Sequence, residues 1–278
     1  MSKAKINKYI EFFTTKIKIL YKEKKFKSNG YTLKYMLEKN DSDSLLVILS
    51  GVPRQGLKAR YNYGRTLRNI SVNKLFILDD FGYDQRGAWY LGKNGDFKIK
   101  QTTEELIQKV KSDLNIKNTI YCGSSKGGYN ALMFGLEDEG STIIAGGPQY
   151  FLGDRLTKGV YPKYTLPYIM GENYTDKDIQ TLNDLLPNII RKAKGKDYKI
   201  FLHYSDQEYM YNQHIKYLLE ELKANDIEFV EDIAKYKKHA EIAYFFPSFL
   251  VNTLKKEIRN KSRELKGKCK KKTKELSL

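Results

Sequence analysis

Short apolar runs alternate with stretches of helical periodicity along most of the chain. The runs end at polar or glycine-containing turns, which predicts strands. The predicted strands are residues 31–37, 44–50, 74–79, 118–122, 141–145, 198–204 and 227–231. The predicted helices are residues 102–114, a segment ending near 136, residues 208–223 and a last helix beginning near 240. This alternation predicts an α/β fold with a mostly parallel sheet flanked by helices, whose functional loops follow the C-terminal ends of the strands.

The segment from residue 149 to 197 interrupts this alternation. It is long for a connection between two core strands, and it contains Pro162, Pro167 and Pro187. Long connections in compact domains commonly cover active sites. We therefore expect a lid-like insertion over the strand ends rather than a separate domain.

The two ends of the chain differ from its body in charge. The 278 residues carry a formal net charge of +17, of which residues 1–27 supply +7 and residues 254–278 supply +8, so the body has +2. Residues 5–20 place apolar side chains at helical spacing among lysines, which predicts a basic amphipathic helix within 1–27. The lysine-rich composition of 254–278 predicts a disordered tail. One globular domain is expected at 28–253.

Composition and charge exclude several classes of protein. A nearly neutral body argues against nucleic-acid binding. Two cysteines, Cys122 and Cys269, and three histidines are too few for a disulfide framework or a metal centre rich in these ligands, so no metal is expected. No apolar run approaches the roughly 18 residues of a transmembrane helix, and the basic N-terminus lacks the apolar core of a secretory signal. We expect a cytoplasmic protein, whose basic ends favour peripheral association with an anionic membrane.

The most informative motif is Gly-Ser-Ser-Lys-Gly at residues 123–127. It follows a predicted strand directly and opens a helix, which is the position of a G-x-S-x-G nucleophile elbow. Glycines two residues before and after the serine let strand and helix approach each other. Ser125 is then the nucleophile, and Ser124 is one position too early. The alternative is a glycine-rich turn that binds an anion at a helix N-terminus.

A serine nucleophile needs a base, and the base needs a carboxylate to orient it. Asp206 follows the strand at 198–204, and His239 follows the strand at 227–231. The chain order Ser125, Asp206, His239 is that of the α/β-hydrolase fold.

Other acids and histidines compete for these roles. Glu208 and Asp232 are the competing acids, and we rank Asp206 ahead of both. His203 lies inside an apolar strand and is expected to be a hydrogen-bonded core residue. His214 lies in the middle of a predicted helix and is expected to be exposed.

An oxyanion hole needs two backbone N–H donors. The residue after the nucleophile, Lys126, supplies one, and the turn after the strand at 44–50 supplies the other. In that turn Val52 is preferred to Gly51, and Pro53 has no N–H to donate. The cationic side chains of Lys126 and Arg54 are expected at the mouth of the pocket, where they would favour an anionic substrate or a phosphate-bearing donor.

Three segments together resemble a known family. They are GSSKGG followed by YNAL at 123–132, DQRGAWYL at 84–91 and GPQ at 147–149. Over residues 40–250 they are similar to the α/β-hydrolase-fold proteins of bacterial capsule biosynthesis, including capsular polysaccharide O-acetyltransferases. The accessory-Sec glycan O-acetyltransferases are a more distant likeness.

The resemblance implies a Ser-Asp-His triad of Ser125, Asp206 and His239, acetyl-CoA as donor co-substrate and a polysaccharide hydroxyl as acceptor. It assigns no role to Arg86 or Gln149. Two alternatives stay open. One is a serine esterase acting on an acylated glycan, since the same triad would serve it. The other is a non-enzymatic scaffold of the capsule machinery.

Overall fold

The computed structural model describes residues 21–275, with side chains through residue 261. The predicted helix at residues 5–20 lies outside the described residues. In the described part of the chain, eight strands form one sheet in the order β1-β2-β4-β3-β5-β6-β7-β8. The strands are β1 (Glu23–Ser28), β2 (Tyr31–Glu38), β3 (Ser44–Leu49), β4 (Asn73–Leu78), β5 (Asn118–Ser124), β6 (Thr142–Gly146), β7 (Lys199–Ser205) and β8 (Phe229–Ala234).

The sheet is parallel from β4 to β8 and antiparallel at β1 and β2. All seven strands expected from the sequence are present. The strand β1 begins at Glu23, inside the segment expected to form the basic N-terminal helix, and pairs with β2. The mostly parallel α/β architecture is therefore confirmed.

Helices cover both faces of the sheet. They are α1 (Lys98–Asp113), α2 (Lys126–Gly135), α3 (Leu152–Leu156), α4 (Tyr161–Tyr164), α5 (Leu166–Met170), α6 (Asp176–Ala193), α7 (Lys216–Ala224) and α8 (Ile242–Glu275). A π-helical turn (Tyr211–Ile215) precedes α7, and a 3-10 turn (His239–Glu241) precedes α8. Among the described residues, no helix is long and apolar enough to cross a membrane.

The central strands are hydrophobic on both faces because each face supports its own core. Along β3, Leu45, Val47 and Leu49 belong to the core beneath α1 and α2. Leu46 and Ile48 point to the opposite face, against α8. A strand buried on both faces loses the alternation of polar and apolar residues, which is why β3 is an unbroken apolar run.

The insertion at 149–197 folds as helices α3 to α6 and is part of the main core. Leu152, Leu166, Leu182 and Leu186 are fully buried in the cluster that also holds the sheet residues. Arg155 and Tyr161 from this insertion reach the cleft at the strand ends. These two residues place part of the insertion at the strand ends, which is the lid-like position expected from the sequence.

Where the sequence predicts a disordered tail from residue 254 onward, the structure has a helix. Helix α8 continues to Glu275, and Leu254 is completely buried. Phe246, Leu250 and Leu254 recur every four residues and pack together against the sheet. Four-residue spacing places these side chains on one helix face. That apolar face packs against the sheet, so Leu254, at the start of the expected tail, is part of the core.

Candidate active site

Ser125 occupies a strained turn between β5 and α2. Its backbone has φ 53° and ψ −122°, a conformation that costs a non-glycine residue free energy. A Cβ on Gly123 would lie 2.5 Å from Gly127, and a Cβ on Gly127 would lie 2.5 Å from the carbonyl oxygen of Leu49. Only glycine fits at these two positions, so the turn has the sterics of a nucleophile elbow. Ser124 Oγ instead pairs with the Tyr63 hydroxyl at 2.5 Å.

A chain of hydrogen bonds begins at Ser125. Its Oγ lies 2.9 Å from His239 Nε2, and His239 Nδ1 lies 2.8 Å from Glu208 Oε2. The Glu208 side chain is fully buried, and that of His239 is 17% exposed. Nucleophile, base and acid thus have the connectivity of a serine triad, with the base open to the cleft and the acid shielded from water.

The structure corrects the choice of acid. Asp206 is exposed and pairs with Lys235 at 3.1 Å, so the carboxylate that contacts His239 belongs to Glu208. Asp232 pairs with His203 at 2.6 Å. Asp206 and Glu208 lie in the same turn after β7, and the turn directs the first carboxylate outward and the second inward.

Ser205 connects the loops that carry the acid and the base. Its Oγ donates to the Tyr236 carbonyl at 2.6 Å and accepts the N–H groups of Tyr236 and Gln207 at 3.2 and 3.1 Å. Glu241 Oε2 accepts the N–H groups of Lys237 and Lys238 at 3.1 and 3.0 Å. The segment that leads into the 3-10 turn of His239 is therefore fixed both by Ser205 and by Glu241.

The two remaining histidines are buried. His203 is a hydrogen-bonded core residue, as the sequence predicted. His214 is only 1% exposed, so its predicted exposure is wrong. Its Nδ1 accepts the N–H groups of Tyr150 and Phe151, each at 3.3 Å. Burial, with the nearby positive charge of Arg155, lowers the pKa of His214 to about 4, so it is a neutral acceptor at neutral pH.

Two backbone donors remain candidates for an oxyanion hole. The N–H of Lys126 is at the first position of α2, where helix geometry provides no intrahelical partner. The N–H of Gly51 donates to Asn62 Oδ1 at 2.9 Å, which leaves Val52 as the donor from that turn. Both Gly51 and Val52 line the same cleft as Ser125 and His239.

The side chain of Lys126 does not lie at the pocket mouth, which corrects the expectation from the sequence. It is completely buried, and its Nζ lies 2.6 Å from Asp79 Oδ2. Burial lowers the pKa of Lys126, and the charge of Asp79 opposes that shift. The carboxylate of Asp79 also accepts the N–H groups of Ala88 and Tyr90, at 2.9 and 3.1 Å.

Tyr90 extends this buried network to the other oxyanion donor. Its hydroxyl accepts the N–H of Ser50 at 2.8 Å and donates to the carbonyl of Ile77 at 2.9 Å. Ser50 directly precedes the turn that carries Gly51 and Val52. The network therefore joins the start of α2 to the turn that carries Val52. Two of its members, Ala88 and Tyr90, lie in the 84–91 segment that contributed to the family resemblance.

A cleft of about 400 Å³ opens above Ser125. Its lining includes four arginines: Arg54, Arg60, Arg86 and Arg155. Arg54 thus lies where the sequence placed it. Arg86 is anchored by the carbonyl of Pro53 at 2.6 Å, and the guanidinium of Arg155 lies 4.6 Å from the ring centroid of Tyr161. The cleft has a positive character suited to anionic groups. The described residues contain no cluster of metal-ligating side chains.

Gln149 is the site residue that sequence reasoning missed. Its side chain is 1% exposed, and its Nε2 donates to Ser125 Oγ at 3.2 Å. The GPQ segment contributed to the resemblance, but nothing in one sequence indicates that its glutamine folds back onto the elbow.

Solved structures of bacterial glycan-modifying proteins resemble this fold. One is the capsule O-acetyltransferase of Neisseria meningitidis serogroup A, with a TM-score of 0.71 and 21% identity over 83% of this chain and 94% of that one. A histidine-to-alanine mutant of that protein in complex with CoA has a TM-score of 0.67 and 20% identity over 84% and 94%. The Gap123 glycosylation-associated complex of Streptococcus agalactiae has a TM-score of 0.65 and 19% identity over 84% and 46%.

Hydrolases share the same architecture. An S-formylglutathione hydrolase from Agrobacterium tumefaciens has a TM-score of 0.54 and 13% identity over 84% of this chain and 94% of that one. The chain has the α/β-hydrolase fold. No family model matches the chain, and no curated protein matches its sequence. The likeness is therefore one of fold, and function has to be argued from the site.

Proposed function

We propose that this protein is a serine O-acetyltransferase that moves an acetyl group from acetyl-CoA to a hydroxyl of a bacterial capsular or surface polysaccharide. The observation that carries the proposal is the hydrogen-bonded chain Ser125–His239–Glu208 at an arginine-lined cleft. That chain activates a serine for acyl transfer. The fold likeness to a capsule O-acetyltransferase supports the choice of reaction.

In the first half-reaction, Ser125 Oγ attacks the thioester carbonyl while its proton passes to His239 Nε2. The carbonyl oxygen becomes an oxyanion, which the N–H groups of Lys126 and Val52 stabilise. The tetrahedral intermediate collapses, the C–S bond breaks, and CoA leaves as a thiol with the proton from His239. The Glu208 carboxylate beside Nδ1 stabilises the imidazolium.

In the second half-reaction, a sugar hydroxyl takes the place of CoA. It gives its proton to His239 Nε2 as its oxygen attacks the acetyl-serine carbonyl. The ester bond to Ser125 Oγ then breaks, and Oγ recovers a proton from His239. The product is the O-acetyl sugar, and the scheme is ping-pong.

The arginines of the cleft support the choice of donor. Guanidinium groups bind phosphates in bidentate geometry, and the CoA part of the donor carries phosphates. A mutant of the capsule O-acetyltransferase with a similar fold was solved in complex with CoA. Acetyl-CoA is a cytoplasmic metabolite, so the proposal places the reaction in the cytoplasm.

A serine esterase is the second candidate, because hydrolases share the fold and would use the same three residues. The two reactions differ only in whether water or a sugar hydroxyl attacks the acetyl-enzyme.

Intact-mass measurement after mixing the protein with acetyl-CoA tests the proposal. We expect one added acetyl group on the wild type and on Ser124→Ala, and none on Ser125→Ala. The adduct should persist in buffer and disappear when a polysaccharide acceptor is added, with acetyl appearing on the polymer. Rapid loss of the adduct in buffer alone would identify an esterase. A wild type that never acquires the adduct would contradict the transferase, and release of acetate from an acetylated glycan would then identify the esterase.

A further inference from the structure

Ser125 Oγ has a second polar neighbour besides His239. Gln149 Nε2 donates to it at 3.2 Å, while His239 Nε2 lies 2.9 Å away on the other contact. Gln149 lies in the loop after β6, whereas Ser125, Glu208 and His239 follow β5, β7 and β8, so this contact comes from a fourth strand end. Serine triads work with the base and the oxyanion donors alone, and an amide on the nucleophile itself is an addition to that set.

The chemistry of a serine hydroxyl gives this contact a direction. The hydroxyl has one proton to donate and lone pairs that accept. With the lone pair occupied by the Gln149 N–H, the remaining partner for the proton is His239 Nε2. The contact therefore selects the rotamer of the hydroxyl from which proton transfer to the base is possible.

The same N–H acts on the charge that develops during reaction. As the proton leaves Ser125, negative charge builds on Oγ, and a fixed donor stabilises it more strongly than it stabilises the neutral hydroxyl. In the second half-reaction Oγ is the leaving group and acquires charge again, so the contact serves both halves. No proton moves through Gln149.

The other end of the amide argues against a purely structural role. Gln149 Oε1 is buried and accepts no hydrogen bond from the residues that the structure describes. A buried carbonyl without a donor destabilises a fold, and an apolar side chain of the same shape is a better filler at such a position. The presence of glutamine is then explained by what its Nε2 does.

We propose that Gln149 is a catalytic residue of this site, whose side-chain amide orients the Ser125 hydroxyl toward His239 and stabilises the charge on Oγ. The inference rests on the proposed role of Ser125 as nucleophile, and it is independent of the identity of donor and acceptor.

A fluorophosphonate probe tests the inference, because it reacts with an activated serine in the absence of acetyl-CoA and glycan. The full chain is compared with Gln149→Met, which keeps the length of the side chain and removes its N–H. The exposed Gln101→Met serves as the matched control. Time courses give the rate constant of Ser125 labelling. The final labelled fraction gives the fraction of protein that is folded. A loss of folding and a loss of reactivity are therefore measured separately.

We expect Gln149→Met to label about 10- to 100-fold more slowly than the wild type, near the lower end of what the loss of one fixed donor costs. Its melting temperature should equal or exceed that of the wild type. Gln101→Met should label at the wild-type rate. Gln149→Leu is the second variant if Gln149→Met does not fold, with the same expectation.

Two outcomes would overturn the inference. The first is labelling of the Gln149 variants at the wild-type rate. The second is a melting temperature that falls in proportion to the loss of rate, which is what a structural role predicts. A wild type whose Ser125 is not labelled would instead contradict the proposed function itself.

Discussion

Lys126 and Asp79 form an ion pair of 2.6 Å in which both side chains are completely buried. The lysine belongs to the same motif as the candidate nucleophile, yet its side chain points away from the cleft. Through Asp79 and Tyr90 it is connected to the turn that carries Val52. The pair therefore fixes the spacing between the two backbone donors expected to hold the oxyanion.

Removing one partner of this pair should be strongly destabilising. Lys126→Met leaves the Asp79 carboxylate buried and unpaired, and we expect the free energy of unfolding to fall by about 3–5 kcal/mol. Urea titration measures this change. The control is Lys109→Met, which breaks an exposed pair with Asp113 and should change stability by less than about 1 kcal/mol.

Neutralising the partner should restore part of the loss, so Lys126→Met combined with Asp79→Asn should be more stable than Lys126→Met alone. Equal effects of the Lys126 and Lys109 substitutions would show that the buried pair contributes nothing.

A matched pair of amide substitutions tests whether Glu208 is the acid that acts on His239. Glu208→Gln removes the charge beside His239 Nδ1, and we expect turnover to fall by up to about 10⁴-fold, as when a triad carboxylate becomes an amide. Asp206→Asn changes only an exposed pair with Lys235 and should leave turnover within about twofold of the wild type, since exposed pairs contribute little. Steady-state acetyl transfer measures both. The reverse ranking would return the role to Asp206.

The strain at Ser125 predicts an exchange of activity for stability. Ser125→Gly removes the nucleophile together with the Cβ that makes φ 53° unfavourable, so we expect no acyl-enzyme and a gain of about 1 kcal/mol in stability. Ser125→Ala should also be inactive, without that gain, because its Cβ stays in the same backbone conformation. Thermal unfolding of the two inactive proteins compares them directly, and identical melting temperatures would show an unstrained turn.

The pKa of His214 predicts how stability depends on pH. Its pKa falls from 6.5 to about 4 on folding, so between these values the unfolded chain binds a proton that the folded chain does not. Stability should be fully present above pH 6.5 and decrease as the pH falls toward 4, by about 3 kcal/mol from this residue.

The control for that prediction is His214→Asn, which keeps an acceptor for the N–H groups of Tyr150 and Phe151 and does not titrate in this range. Urea unfolding at a series of pH values should show a smaller slope for this variant. An unchanged slope would assign the acid sensitivity to other groups.

The sequence predicted best those features that depend on residues close together along the chain. Ser125 is identifiable because the glycines that its turn requires lie within two positions of it. His239 is identifiable because its strand and loop are locally clear. The acid is not, since Asp206 and Glu208 share one turn, and the direction of each carboxylate depends on Ser205 and its contacts with Tyr236.

Residues whose role depends on distant partners were missed for the same reason. His214 is buried because the backbone of Tyr150 and Phe151 folds over it. Gln149 contacts Ser125 only after β6 is aligned beside β5. Along α8, the lysine content concealed the apolar spacing of Phe246, Leu250 and Leu254.

The separation of 114 residues between Ser125 and His239 has a consequence for the synthesis of the protein. The chain leaves the ribosome N-terminus first, so the serine emerges well before its base. Strands β6, β7 and β8 follow in chain order and lie side by side in the sheet, and His239 comes after the last of them. A nascent or prematurely terminated chain carries the serine without His239, so the hydrogen-bonded chain Ser125–His239–Glu208 can form only when the whole sheet is complete.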